Sequence, residues 1–218
     1  MNQKYLRSFG RVKGHKLSQS QEVLINEFLP KIRPSVDRLS KRIWFEIGFG
    51  GGEHIIQLIG DRSDEKVSII GCEPYINGSV KAIKYIYDNH CENVFIHDGD
   101  ARELLEKLEN KSVEKFFILF PDPWPKKRHY KRRIISQSMI ELLISKLTDN
   151  GSITIATDHI GYAEWISEIL KDYNYKHELL RSSEDCTAGG ILTRYCSKAL
   201  ARGDKINLFK ISLYPGIF

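Results

Sequence analysis

The sequence has no apolar run long enough to span a bilayer, and its first residues lack a signal-peptide core. A soluble cytoplasmic protein with no membrane partner is the expectation. Cysteine is scarce. Cys72, Cys91, Cys186 and Cys196 form no C-x-x-C pair, and the histidines have no ligand spacing, so neither a metal site nor a dithiol motif is expected and a reducing compartment suits the chain. Internal repeats and low-complexity segments are missing too. At 218 residues the chain suits one buried domain better than two.

What is present is uneven. Net charge is only +5, yet Lys4, Arg7, Arg11, Lys13 and Lys16 stand without an acid among them. A second cluster places six Lys/Arg between Lys126 and Arg133. The rest of the chain must therefore be net acidic. Two basic segments on an acidic body point to a nucleic-acid partner, the alternative being two solvated loops. Residues 1–20 are read as a flexible basic arm and 21–218 as the domain, monomeric or homodimeric.

Along that domain, apolar runs alternate with helical patterns. A short helix is expected over 21–29, before Pro30 and Pro34. Strands are expected at 42–48, 67–73, 93–97, 113–120 and 151–157. Helices fall between them at 52–59, 77–89, 101–108 and 134–147, and a further helix at 162–173. Two last strands are expected at 176–181 and 206–213. This alternation predicts an α/β fold, a doubly wound, mostly parallel seven-stranded sheet of Rossmann-like class.

The chemistry-bearing residues fall at strand ends. Gly48 and Gly50, in Glu46-Ile47-Gly48-Phe49-Gly50-Gly51-Gly52, follow the first strand and permit a tight turn with close backbone approach to a ligand. Glu73 closes the second strand, where an acid bonds ribose hydroxyls. A dinucleotide fingerprint would need glycine at 53, but Glu53 stands there and would repel pyrophosphate. Glu46 would likewise repel phosphate and attract an ammonium group, so the loop favours S-adenosylmethionine (SAM). Asp100, after the third strand, can accept from an adenine amine or serve only as a helix N-cap. Asp122 follows the fourth strand, in Phe120-Pro121-Asp122-Pro123-Trp124-Pro125, where three prolines in five residues enforce a stiff extended loop.

With these residues in view, the chain resembles the bacterial tRNA (guanine-N7-)-methyltransferases, class I SAM-dependent enzymes. The resemblance rests on Ser8-Phe9-Gly10-Arg11, Glu46 to Gly50, Gly71-Cys72-Glu73, Asp100-Ala101, and Phe120-Pro121-Asp122-Pro123-Trp124-Pro125-Lys126-Lys127-Arg128-His129. It continues through Arg132-Arg133, Ala156-Thr157-Asp158 and Leu192-Thr193-Arg194-Tyr195, nearly the whole chain. It implies that Glu46, Glu73, Asp100 and Asp122 contact SAM, while Lys126, Asp158 and Thr193-Arg194-Tyr195 meet a variable-loop guanine of tRNA. Cys196 stands where the family usually has Glu, so this substrate-side position departs from the pattern.

Guanine N7 attacks through its lone pair and needs no general base. Asp122 is the catalytic candidate as a pre-placed negative charge, or else it only positions SAM. Asp158 suits the N–H groups of the guanine edge. Trp124 and Tyr195 offer rings for stacking, although Trp124 fits a core role equally. Lys127, Arg128, Lys131, Arg132 and Arg133 are candidates for the tRNA backbone. Two rival functions are a SAM methyltransferase acting on another RNA or DNA, and a tRNA-binding protein with impaired catalysis.

Overall fold

The computed structural model describes residues 14–60, 67–171, 176–182 and 193–213. The basic stretch before residue 14, including Ser8 to Arg11, lies outside them. Elements run α1 (Gln19–Val23), β1 (Arg42–Ile47), α2 (Glu53–Gly60), β2 (Val67–Cys72), α3 (Ile76–Asp88), β3 (Val94–His97), α4 (Ala101–Leu105) and β4 (Val113–Leu119). They continue with a 3-10 segment (Lys127–Arg132), α5 (Gln137–Lys146), β5 (Leu147–Thr157), α6 (Ile160–Lys171), β6 (Lys176–Ser182), α7 (Arg194–Ala201) and β7 (Ile206–Ser212).

The strands form one seven-stranded sheet in the order β3-β2-β1-β4-β5-β7-β6. β1 to β5 pair in parallel, and β7 runs antiparallel to both β5 and β6. Winding starts at β1, moves outward to β3, then returns to place β4 against β1. That reversal opens a crevice at the C-terminal ends of β1 and β4, where open α/β sheets take ligands.

Strand alternation sends side chains to two cores. On one face Ile43, Phe45 and Ile47 of β1 join Phe116 and Ile118 of β4, under Leu104, Ile140, Leu143, Tyr162 and Ile166 from α4, α5 and α6. On the other, Ile69 of β2 packs with Ile55 of α2 and Ile83 and Ile86 of α3. A smaller third cluster sets α7 against the sheet through Cys196 and Ala199 on Leu119, Ala156 and Leu208.

Three local readings need correction. The helix expected over 21–29 is instead α1, a π turn (Leu24–Phe28) and a 3-10 turn (Leu29–Ile32). Pro30 has no N–H and crowds the carbonyl four residues back, so a regular helix cannot pass through it. α1 also begins inside the segment expected to be an arm, closed by a capping box between Ser18 and Gln21. The third is α7, which was not expected at all.

The turn from β1 to α2 depends on Gly52, at φ +79°, where a Cβ would stand 2.5 Å from the Ala82 Cβ. Gly52→Ala is therefore expected to lower stability by about 1–3 kcal/mol, combining overpacking with a left-handed backbone. Denaturant unfolding measures it; an unchanged midpoint would show that the turn tolerates a side chain.

A candidate cofactor and RNA site at the sheet crevice

The crevice holds a cavity of about 740 Å³ between the loops that follow β1, β2, β3 and β4. Gly48 and Gly50 form part of its floor with φ of +74° and +55°. A Cβ on Gly48 would meet nothing within 4 Å, so bare backbone faces open space there. Across the cavity a Cβ on Gly50 would come within 3.8 Å of the Tyr195 ring.

Glu73 ties two of these loops together. One carboxylate oxygen accepts from the Gly50 N–H at 2.9 Å and the other from the Tyr75 N–H at 2.8 Å. Burial pushes its carboxyl above the usual carboxylate range against those two hydrogen bonds, and the charges of Asp122 and Glu46 push the same way. Asp100 lines the cavity as the N-cap of α4, accepting from the Arg102 N–H at 3.0 Å. Burial would raise the Asp100 carboxyl, but hydrogen bonds and charge from Arg102 outweigh it and hold it low. The cap reading of Asp100 is thus realised, at a position that also faces the cavity.

Glu46 sits differently from the expectation. It is one residue out of phase with Phe45 and Ile47, so it turns to the α2 face, where it is 2% exposed and meets His54 Nδ1 at 2.9 Å. The His54 ring lies edge-on to Phe117, 4.7 Å between centroids. Glu46 is absent from the cavity wall. The sequence held no signal for this pair, because a histidine at the second position of a helix carries no motif.

Asp122 and Trp124 both line the cavity, on the loop leaving β4. The loop's ends are unusual. Phe120 has φ +52° and Trp124 has φ +42°, two of only four described non-glycine residues with positive φ. Such backbone costs about 1–3 kcal/mol per residue and persists only where the surroundings impose it. Upstream, the Phe120 N–H donates to the Ala156 carbonyl at 2.8 Å. Trp124 carries the Arg132 guanidinium over its ring at 4.8 Å and His129 at its edge, 5.7 Å away.

The basic run divides by exposure. Lys126, Lys127, Arg128 and Lys131 are exposed, while Arg133 is 5% exposed. Arg133 therefore does not share the open exposure expected of the run: it turns inward at the cavity's edge, because Ile134 and Ile135, its neighbours, join the core.

On α7 the expected substrate residues separate. Thr193 is the buried N-cap, its hydroxyl accepting from the Cys196 N–H at 3.1 Å. Cys196 is 3% exposed in the third core cluster, so it faces the sheet and not the substrate side. This corrects its assignment: the position falls one turn from the cap, on the helix's apolar side. Arg194 and Tyr195 are exposed and line the cavity. Asp158 lies apart from the cavity wall and pairs with Arg202 at 2.7 Å. Tyr75, Asn77, Lys81 and Arg102, which had no sequence signal, share the wall with Lys131, Arg132 and Arg133. Among the described residues no group of three or more His, Cys, Asp or Glu could hold a metal ion, and no helix is long and apolar enough to cross a membrane.

A family model described as "Putative methyltransferase" matches residues 40–208. Among solved structures, one titled "Structure of an Antibiotic Related Methyltransferase" superposes with TM-score 0.54 at 18% identity, covering 94% of this chain and 97% of that one. An rRNA methylase from Streptococcus thermophilus gives 0.55 at 11% identity, covering 89% of this chain and 95% of that one. Both likenesses speak to the fold. The tRNA (guanine-N(7)-)-methyltransferase of Wolbachia pipientis wMel is 38% identical over 97% of this chain and 94% of its own length. That of Caulobacter sp. (strain K31) is 36% identical over 89% and 90%. With strand order, crevice and motif loops in agreement, the chain belongs to the tRNA (guanine-N(7)-)-methyltransferase family.

Proposed function

We propose that this protein transfers a methyl group from SAM to N7 of a variable-loop guanine in tRNA. The observation that carries the reading is the placement of Asp122, on a loop bracketed by two left-handed residues, at a cavity whose adjoining surface is a basic 3-10 segment. Fit to SAM is supported by the crowding of acids. Glu73 feels both Asp122 and Glu46, a field that suits a cationic ligand and opposes a phosphate.

SAM when bound supplies a methyl group on a sulfonium. Glu73 is suited to ribose hydroxyls and Asp100 to the adenine amine, while Gly48 and Gly50 leave room for the ligand against the backbone. N7 of guanine already has its lone pair, so the chain needs no base. Asp122 contributes a fixed negative charge as positive charge passes to the purine. Tyr195 and Trp124 flank the cavity with rings able to stack on the base. Asp158, held by Arg202, can present its carboxylate to the guanine edge only by sharing or leaving that cation. Lys126, Lys127, Arg128 and Lys131 meet tRNA phosphates, with the basic N-terminal residues adding to that contact as an arm. One chain lines the whole cavity, so a monomer suffices for chemistry, and a tRNA substrate agrees with the cytoplasm.

Incubating the protein with labelled SAM and total tRNA, then mapping the labelled base, tests the reading. Label at guanine N7 in the variable loop is expected; label in another RNA alone would favour the rival methyltransferase. Asp122→Ala is expected to cost about 10²–10³ in single-turnover rate with tRNA affinity nearly kept. A rate near that of the unsubstituted protein would remove Asp122 from the chemistry.

Neutralising Lys127, Arg128 and Lys131 together should weaken tRNA binding and leave SAM affinity unchanged. The slope of log affinity against log salt should fall by roughly 0.7–0.9 for each phosphate no longer neutralised. Titrations at several salt concentrations measure this, and a constant slope would place the segment away from RNA.

A further inference from the structure

Arg133 is a buried cation that the chemistry above does not use. It is 5% exposed and has no ion pair among the described residues. Its Nε–H donates to the Pro123 carbonyl at 2.9 Å, while Nη1 and Nη2 are buried without hydrogen-bond partners. The guanidinium lies 3.8 Å from the Tyr130 ring centroid, 4.9 Å from that of Tyr162 and 5.1 Å from that of Trp165.

This is a cage with three aromatic walls. Tyr130 comes from the 3-10 segment, and Tyr162 and Trp165 stand on successive turns of α6. The same two α6 side chains grip the next backbone unit. Tyr162 OH accepts from the Ile135 N–H at 3.1 Å, and Trp165 Nε1–H donates to the Ile135 carbonyl at 2.9 Å. Tyr130 and Trp165 meet edge to face, 5.6 Å between centroids. The cage therefore cannot shift without breaking the α6 contacts.

Burying a charge is costly, and an apolar side chain of similar volume would fill such a space without that cost. Ring faces offset part of it. What an apolar side chain lacks is the planar N–H aimed at Pro123. Pro121, Pro123 and Pro125 have no N–H of their own, so backbone donors cannot tie this loop at those positions. Asp122 then sits between two anchors: Phe120 N–H on the Ala156 carbonyl before it, and Arg133 on the Pro123 carbonyl after it.

We propose that Arg133, locked by Tyr130, Tyr162 and Trp165, is a positioning residue that fixes the Pro123 carbonyl and through it the orientation of Asp122 toward the cavity. Arg133 also borders the cavity, but its Nε–H is engaged by the Pro123 carbonyl, so the role proposed is exerted on Asp122 through the loop. The proposal rests on the role given to Asp122 in the proposed function. The electrostatics agree with the geometry, since the Tyr162 hydroxyl, whose pKa burial raises, is close enough to feel both Arg133 and Asp122.

The test is a double-mutant cycle of Arg133→Lys with Asp122→Ala, read as single-turnover methyl transfer to tRNA. Lysine keeps the charge but loses the planar Nε–H and ring stacking. Alone, Arg133→Lys is expected to slow transfer by about 10²-fold, the cost of a misplaced group, with the salt slope of tRNA binding unchanged. In the Asp122→Ala background it should cost little more, because the group it positions is gone. Losses that multiply, an unaffected rate, or a smaller salt slope would each overturn the proposal. If Arg133→Lys does not fold, Tyr130→Leu, which removes the nearest cage wall, replaces it in the same cycle with the same outcomes. If the unsubstituted protein transfers no methyl to tRNA, the proposed function fails by itself. The cycle is then read on SAM affinity, where coupling supports the role of Arg133 and independence overturns it.

Discussion

The parallel pairing of β1 with β4 is the constraint on which the rest depends. Residues 43–46 run alongside 113–117 although five elements separate them in the chain. Without that return, the glycine turn after β1 and the proline-rich loop after β4 would have no reason to meet. With it, backbone that can approach a ligand and a carboxylate on a stiff loop face each other across one cavity. The pairing is held by side chains on both faces, Phe45 against Phe116 at 5.7 Å on one and His54 with Phe117 on the other. The crevice is thus a by-product of how the core is filled.

Two polar groups inside this core join loops that hydrophobic contact cannot join. Glu73 bridges the β1 and β2 loops through two backbone N–H groups. Lys146, 8% exposed, reaches the Leu108 carbonyl and Asn110, closing the turn before β4. Buried polar contacts of this kind are weak stabilisers but define geometry.

Sheet composition was legible in the sequence because apolar runs of strand length alternate with amphipathic stretches, and burial enforces that pattern. The placement of Gly48, Gly50, Glu73, Asp100 and Asp122 around one cavity followed from their positions at strand ends. Facing was less legible. Glu46 and Glu73 look equivalent in sequence, yet one-residue phase sends Glu46 under α2 while Glu73, beyond its strand, is free to turn into the crevice. Arg133 reads as one more cation in a run of six, since nothing local distinguishes the one whose neighbours sink into the core. α7 escaped notice because its cap, Thr193, belongs to a motif that reads as a substrate-binding turn.

The first turn of α7 has a consequence for how such an enzyme can diverge. Thr193 and Cys196 are committed to the cap and the core, whereas Arg194 and Tyr195, between them, are exposed at the cavity. Selection for foldability and selection for recognition therefore act on different residues of one four-residue turn. Changes at 194 and 195 can retune what the cavity mouth accepts at little cost to stability. Position 196 is held twice over, by its apolar neighbours and by the disulfide that Cys196 makes, so it has far less room to drift than 194 or 195.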